Sequence, residues 1–214
     1  MMEDKKCLII SNGKACSMQL TKRLLRDKPF VIALDGSLLR VLEKLIPINV
    51  LLGDFDRFDV NEARELLGDA EIVITPDQEK TDLDKGIEYA IEQGYKHIDI
   101  IWATGWRADH TITNITNLAR YANQARLTMH DDYSVIYPIP KGFRKFYTAG
   151  SIISLIPVGT VKGIITGNLK YSLNHEDLVL GYRAGSSNEA AHDGFVEITY
   201  TSGQMLIMEC KDKE

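Results

Sequence analysis

Between Lys6 and Trp102, short apolar runs alternate with segments of helical spacing, and this alternation limits the fold more than any other feature. The runs, residues 6–11, 30–35, 50–54, 71–75 and 97–102, lack period-two patterning. Strands buried on both faces read this way. Residues 37–45, 60–67, 83–92 and 111–122 carry apolar side chains at helical spacing, as with Leu83, Ile87 and Ile91. Thr81 stands where an N-cap belongs, with Asp84 three residues on as its capping partner. Such an alternation predicts a mostly parallel sheet with helices on both faces, a Rossmann-like α/β domain. Further strands are expected at 126–130 and 134–139.

The pattern changes at Pro138-Ile139-Pro140-Lys141-Gly142, where two of the six prolines fall within three residues. A linker or sharp crossing is expected there. Beyond it no helical period occurs. Residues 143–148, 151–157, 163–173, 177–184, 195–200 and 204–210 read as strands. Val196, Ile198 and Tyr200 alternate with Glu197 and Thr199, as in a half-exposed antiparallel strand. Thr201-Ser202-Gly203 reads as a hairpin turn. The expected organisation is an α/β domain over 1–138 and an all-β sandwich domain over 139–214.

The net charge of −5 lies entirely before residue 139, since 8 acidic and 8 basic residues follow. An acidic first domain repels phosphate unless a cation intervenes, which argues against nucleic acid as a partner. No run reaches the roughly 18 apolar residues of a membrane helix. The four apolar residues Cys7 to Ile10 are too few for a secretory core. Cys7, Cys16 and Cys210 form no close pair, and reduced thiols in a cytoplasmic compartment are expected.

Ligands of open parallel sheets bind beyond the carboxyl ends of the strands. Five polar clusters fall at those ends. They are Ser11-Asn12-Gly13, Asp35-Gly36-Ser37, Gly53-Asp54-Phe55-Asp56, the segment from Thr75 to Asp82, and Thr104 to His110. Asp54 and Asp56 point to the same side of an extended segment. Two carboxylates about 5 Å apart repel by roughly 3 kcal/mol at an effective dielectric near 20. A proton or a cation must lie between them, and Mg²⁺ takes one or two carboxylates together with substrate phosphates. A solvated acidic turn is the alternative. Asp82 and Asp35, at matching strand ends, favour the metal. Lys80 and Arg107 supply positive charge for phosphate. Gln78, Thr81 and the helix start after Thr81 offer donors to an anion. The chain has no G-x-x-x-x-G-K-[ST] loop and no G-x-G-x-x-G. The five histidines are scattered without zinc-ligand spacing.

Taken in order, these clusters resemble the thiamine pyrophosphokinase family. The matching signatures are Asp35-Gly36, Gly53-Asp54-Phe55-Asp56, Asp77-Gln78 with Lys80-Thr81-Asp82, Arg107 with Asp109-His110 and Asn114, and Ser187-Asn188. They span nearly the whole chain. The resemblance implies transfer of the pyrophosphoryl group of Mg-ATP to the hydroxyl of thiamine, giving thiamine diphosphate and AMP. It implies Asp54, Asp56 and Asp82 as Mg²⁺ ligands, with Asp35, Gly36, Gln78, Lys80, Thr81 and Arg107 around ATP. Asp109 is implied as a catalytic, substrate-side carboxylate. Tyr171, Ser187 and Asn188 are implied as contacts to thiamine, in a homodimer that binds it where the subunits meet.

Four positions depart from the family pattern. Ser37 stands where a second glycine is common, Arg57 where a serine is common, and Trp106 where a glycine is frequent. Tyr171 stands where some members carry a tryptophan. Asp54-Phe55-Asp56 also fits the Asp-x-Asp of haloacid-dehalogenase-like phosphatases, in which the first Asp is a covalent nucleophile. Phe58, however, stands where that family wants Thr or Val.

Overall fold

The computed structural model describes residues 5–56 and 59–212, so Arg57 and Phe58 lie outside the described residues. The chain divides into two compact units. The first comprises the residues up to Asn117 together with Asn123–Asp132, and the second comprises Leu118–Ala122 with the residues from Tyr133 on.

The first unit alternates strand and helix throughout. Its elements are β1 (Lys6–Ile10), α1 (Met18–Leu25), β2 (Phe30–Leu34), α2 (Leu38–Glu43), β3 (Val50–Gly53) and α3 (Val60–Leu67). They continue with β4 (Glu71–Ile74), α4 (Asp82–Glu92), β5 (His97–Ile101), α5 (Ala108–Arg120), whose residues from Leu118 on fall in the second unit, and β6 (Arg126–His130). The strands pair in the order β4-β3-β2-β1-β5-β6. Every pairing among them is parallel. The central strands are buried along their length, as their unbroken apolar runs require: Leu8, Ile9 and Ile10 are fully buried, and so are Val50, Leu51 and Leu52. Each such side chain contributes roughly 1.5–3 kcal/mol by leaving water. The edge strand β4 is only half-buried.

From β1 the chain winds outward through β2 to β4, then returns to place β5 on the other side of β1. The sheet therefore has its topological switch point between β1 and β5, where open α/β sheets form a ligand crevice.

Helix α1 is absent from the sequence expectations. Ser17 caps it by accepting the Leu20 N–H, and only Leu20 and Thr21 are buried. Two buried positions in eight residues give too short a stripe to register as a period. Helix α4 starts as expected, with the Thr81 hydroxyl accepting the Asp84 N–H. Helix α5 begins three residues earlier than the sequence suggested, which puts Asp109 in its first turn.

The second unit is an antiparallel β region. It contains β7 (Ser134–Ile139), β8 (Gly142–Tyr147), β9 (Ile152–Gly167), β10 (Asn174–Val179), β11 (Gly185–Glu189), β12 (Gly194–Thr199) and β13 (Ser202–Cys210). Strand β9 is one strand of 16 residues where the sequence suggested two. Near its start it pairs with β11, and further along with β10 and β12. Strand β13 lies between β7 and β9. Val196 and Ile198 point into the core while Glu197 and Thr199 face out, as their alternation predicts. The core gathers these with Ile153, Leu155, Val161 and Ile207. Among the described residues, no helix is long and apolar enough to cross a membrane.

Candidate active site

The loops after β1, β2, β3 and β5 and the start of α4 enclose a cavity of about 620 Å³. Asp35, Gly36, Asp54, Asp56, Gln78, Lys80, Thr81, Asp82 and Arg107 all line it. The topology thus gathers residues that lie far apart in sequence.

Asp35 organises the loop after β3. It is nearly buried, and its Oδ2 accepts the Phe55 N–H at 3.0 Å while Oδ1 accepts the Gly36 N–H. Gly53 makes this approach possible, because a Cβ there would lie 2.2 Å from the Asp35 Cγ. Phe55 takes a left-handed φ of 59° and tucks its ring into the core. That conformation costs a non-glycine residue roughly 1–2 kcal/mol. The turn leaves Asp54 and Asp56 in the cavity wall. Burial pushes the Asp35 carboxyl above the ordinary carboxylate range, the negative charges of Asp82 and Asp54 add to this, and the two amides oppose it. Ser37, the departure beside it, is buried and donates to the Leu34 carbonyl at 2.7 Å.

The carboxylates share a cation that the sequence reading missed. Lys85 is only 4% exposed in its side chain, with its Nζ 3.3 Å from Asp82 and 4.0 Å from Asp54. Its signal in the sequence was its position one turn after Asp82, on the cavity side of α4. Gln78 Nε2 also reaches Asp54, at 3.4 Å. Among the described residues, no three His, Cys, Asp or Glu side chains are gathered closely enough to hold a metal ion by themselves.

The other expected contacts are partly engaged with each other. The Thr81 hydroxyl is spent on the helix cap, since it also donates to the Asp84 carboxylate at 2.8 Å. Lys80 pairs with Glu88 at 2.8 Å. Arg107 is exposed and bonds Asp109 through two nitrogens, Nε to Oδ1 at 3.1 Å. This hydrogen bonding holds the Asp109 carboxyl down to about 2. Asp109 itself is not part of the cavity wall. Asn114 is buried and donates to the Ala103 carbonyl at 2.9 Å, which supports the loop after β5.

At the switch point the loops after β1 and β5 touch directly. The Gly13 amide donates to the Trp102 carbonyl, and the Lys14 amide to the Thr104 carbonyl at 2.8 Å. A Cβ on Gly13 would stand 2.5 Å from the oxygens of Trp102 and Thr104.

In the second unit, Asn188 is buried and clamps the backbone of Tyr171. Its Oδ1 accepts the Tyr171 N–H at 3.0 Å and its Nδ2 donates to the Tyr171 carbonyl at 2.8 Å. Tyr171 is 62% exposed. Ser187 is exposed, with a left-handed φ of 55°.

Residues 21–129 match the model of the thiamin pyrophosphokinase catalytic domain. Residues 139–205 match that of the thiamin pyrophosphokinase vitamin B1 binding domain. The chain belongs to the thiamine pyrophosphokinase family. A thiamine pyrophosphokinase from Bacillus subtilis is 30% identical over 197 residues, covering 87% of this chain and 86% of that protein. Thiamin pyrophosphokinase 1 of Caenorhabditis elegans is 22% identical over 198 residues, covering 86% and 80%. The fold is also that of the crystal structure of a Bacillus subtilis thiamine pyrophosphokinase, with a TM-score of 0.81, 24% identity and coverage of 98% and 100%.

Proposed function

We propose that the cavity at the switch point is where this chain holds Mg-ATP for attack by thiamine. One observation supports the placement above the others. Asp54 and Asp56, from the loop after β3, and Asp82, at the start of α4, line one cavity with Lys80, Lys85 and Arg107.

The donor set fits Mg²⁺. It consists of hard carboxylate oxygens, and Mg²⁺ completes its shell with water and substrate phosphates, so a finished protein cage is not needed. Asp54, Asp56 and Asp82 would hold the ion, which when bound neutralises phosphate charge.

The thiamine hydroxyl oxygen bonds the β-phosphorus as the bond from that phosphorus to the α-phosphate oxygen breaks. AMP leaves and thiamine diphosphate forms. Positioning and charge compensation carry most of such a transfer. Arg107 and Lys80 give phosphate oxygens fixed positive partners, and Gln78 adds a donor. Lys85 keeps the carboxylates from repelling one another. Asp109, held near 2 by Arg107, is a weak base and serves better to orient that guanidinium. The loose transition state of such a transfer lets the hydroxyl proton pass to solvent without a strong base.

Thiamine carries a fixed positive charge, and the exposed Tyr171 ring offers it a cation–π face. Ser187 adds a hydroxyl. The Asn188 side chain is committed to the Tyr171 backbone, so its role is to place that ring. Exposed Phe146, Phe195 and Tyr182 suit a homodimer with thiamine at the subunit junction. Cys7, Cys16 and Cys210 carry thiols and not disulfides, which suits a cytoplasmic setting.

The test is incubation of the pure protein with Mg-ATP and thiamine. AMP and thiamine diphosphate should accumulate in equal amounts. Release of ADP would remove the pyrophosphoryl assignment, and acid-labile phosphate on Asp54 would point to a phosphatase-like nucleophile. Light scattering of the purified protein, with a monomer mass, would remove the dimer.

A further inference from the structure

Trp106 lies at the mouth of the cavity in an arrangement that the metal loop does not explain. The Arg40 guanidinium carbon sits 4.7 Å from the centre of the Trp106 ring and 5.1 Å from that of Trp102. Arg40 is fixed in place by donating to the Gly13 carbonyl at 2.7 Å and to Asn12 Oδ1 at 2.6 Å. Trp102, beneath it, is 1% exposed. A buried indole, a guanidinium and an outer indole thus form one pile. The outer ring is 69% exposed.

The backbone is bent to present that ring. Trp102, Gly105 and Trp106 have φ values of 57°, 79° and 55°. Two bulky residues in the left-handed region within five positions hold a conformation that is unfavourable for each of them. Backbone outliers of this kind gather at ligand clamps. Among the described residues lining the cavity, Trp106 is the sole Trp, Tyr or Phe.

We propose that Trp106 is the platform on which the adenine base of ATP stacks. This rests on the ATP-dependent reading above. A planar heterocycle joined to a triphosphate is what a cavity with carboxylates at one part and an indole at another can accommodate in one piece. The charge of the pile selects between the two substrates. One face of Trp106 already covers the Arg40 cation, so the cationic thiazolium of thiamine is disfavoured on the other face. A neutral purine is not. Stacking of a base on an aromatic side chain is worth enough to shift affinity by roughly tenfold when the ring is removed.

The two tryptophans of the chain make the test direct, because one is buried and the other exposed. Intrinsic fluorescence is titrated separately with Mg²⁺ and α,β-methylene ATP, with inorganic tripolyphosphate, and with thiamine. The nucleotide should quench emission strongly, the other two should not, and Trp106→Phe should abolish the effect. In steady-state assays Trp106→Ala should raise the KM for ATP roughly tenfold. The KM for thiamine should stay within about twofold, and Trp106→Phe should restore most of the loss, since any aromatic face stacks. An unchanged KM for ATP in Trp106→Ala, or equal quenching by tripolyphosphate or thiamine, overturns the platform. Wild-type turnover without nucleotide quenching overturns it too and leaves the activity standing. If the wild type makes no AMP, the activity falls, and the fluorescence titration still decides whether a base sits on Trp106.

Discussion

The Asp35 carboxylate accepts the Phe55 N–H at 3.0 Å, so a residue at the end of one strand sets the turn that carries Asp54 and Asp56. Its other oxygen accepts from Gly36. An asparagine has one acceptor oxygen, so it cannot take both amides. Asp35→Asn should therefore lose about 1–3 kcal/mol of stability, the cost of one buried amide left unpaired. It should also bind Mg²⁺ more weakly even though the proposed ligands are intact. Urea unfolding and calorimetric Mg²⁺ titration measure the two effects. Wild-type Mg²⁺ affinity in this variant would show that the turn does not depend on Asp35.

Asp54→Asn and Asp56→Asn should each reduce AMP formation by about a thousandfold or more, on the scale seen when one preorganised charge-stabilising group is lost. Both side chains are at least partly exposed and neither belongs to a hydrophobic core, so thermal melting should move by only a few degrees. Near wild-type turnover in both variants would remove them from the metal site.

Lys85 makes a different prediction. Its charge is enclosed between Asp82 and Asp54. Lys85→Met leaves those carboxylates facing each other and should cost roughly 2 kcal/mol in metal-free buffer, below the roughly 3–5 kcal/mol of a fully buried pair because Asp82 is half open to solvent. Added Mg²⁺ should then stabilise the variant more than the wild type. Equal Mg²⁺-induced shifts in melting temperature would count against the lysine as internal counterion.

The Arg107–Asp109 pair fixes a pH expectation. Asp109 is held at about 2, below its ordinary 3.8, so its folded-state proton affinity is lower than in the unfolded chain. The stabilisation this provides is present above the unfolded value and is lost as pH falls through about 2. No acid limb in the rate profile above pH ~4 should belong to Asp109. Arg107→Gln should return its carboxyl, followed by NMR, toward 3.8. A midpoint unmoved by the substitution would mean that the pair does not form in solution.

Asn188→Ala removes the clamp on the Tyr171 backbone. It should raise the KM for thiamine about tenfold, in line with the 1.4 kcal/mol that separates decades of affinity. The KM for ATP should hold. A rise in both would assign Asn188 to general stability.

The parallel sheet was legible because runs such as Leu8 to Ile10 and Val50 to Leu52 leave no polar face. The cavity followed from it, since strand ends in such a sheet converge and the Asp-rich clusters stand at those ends. What escaped notice was set by contacts between distant residues. Lys85 looks like any helical lysine until α4 is packed with its first turn over Asp54. The Trp102–Arg40–Trp106 pile joins positions over sixty residues apart. Strand β9 was divided in two because Gly159 and Gly163 interrupt its apolar pattern, and both take left-handed φ values inside a continuous strand. Helix α1 buries too little to show a period.

Strand β13 lies between β7 and β9, although it is the last strand of its unit in the order of synthesis. The sheet therefore has a central gap until residues 202–210 have emerged from the ribosome. Until then β7 and β9 each expose an unpaired edge, the kind of surface that promotes association between chains. The interval between the synthesis of β9 and that of β13 is thus one in which the chain is exposed to aggregation, and a chaperone that covers strand edges has work to do then.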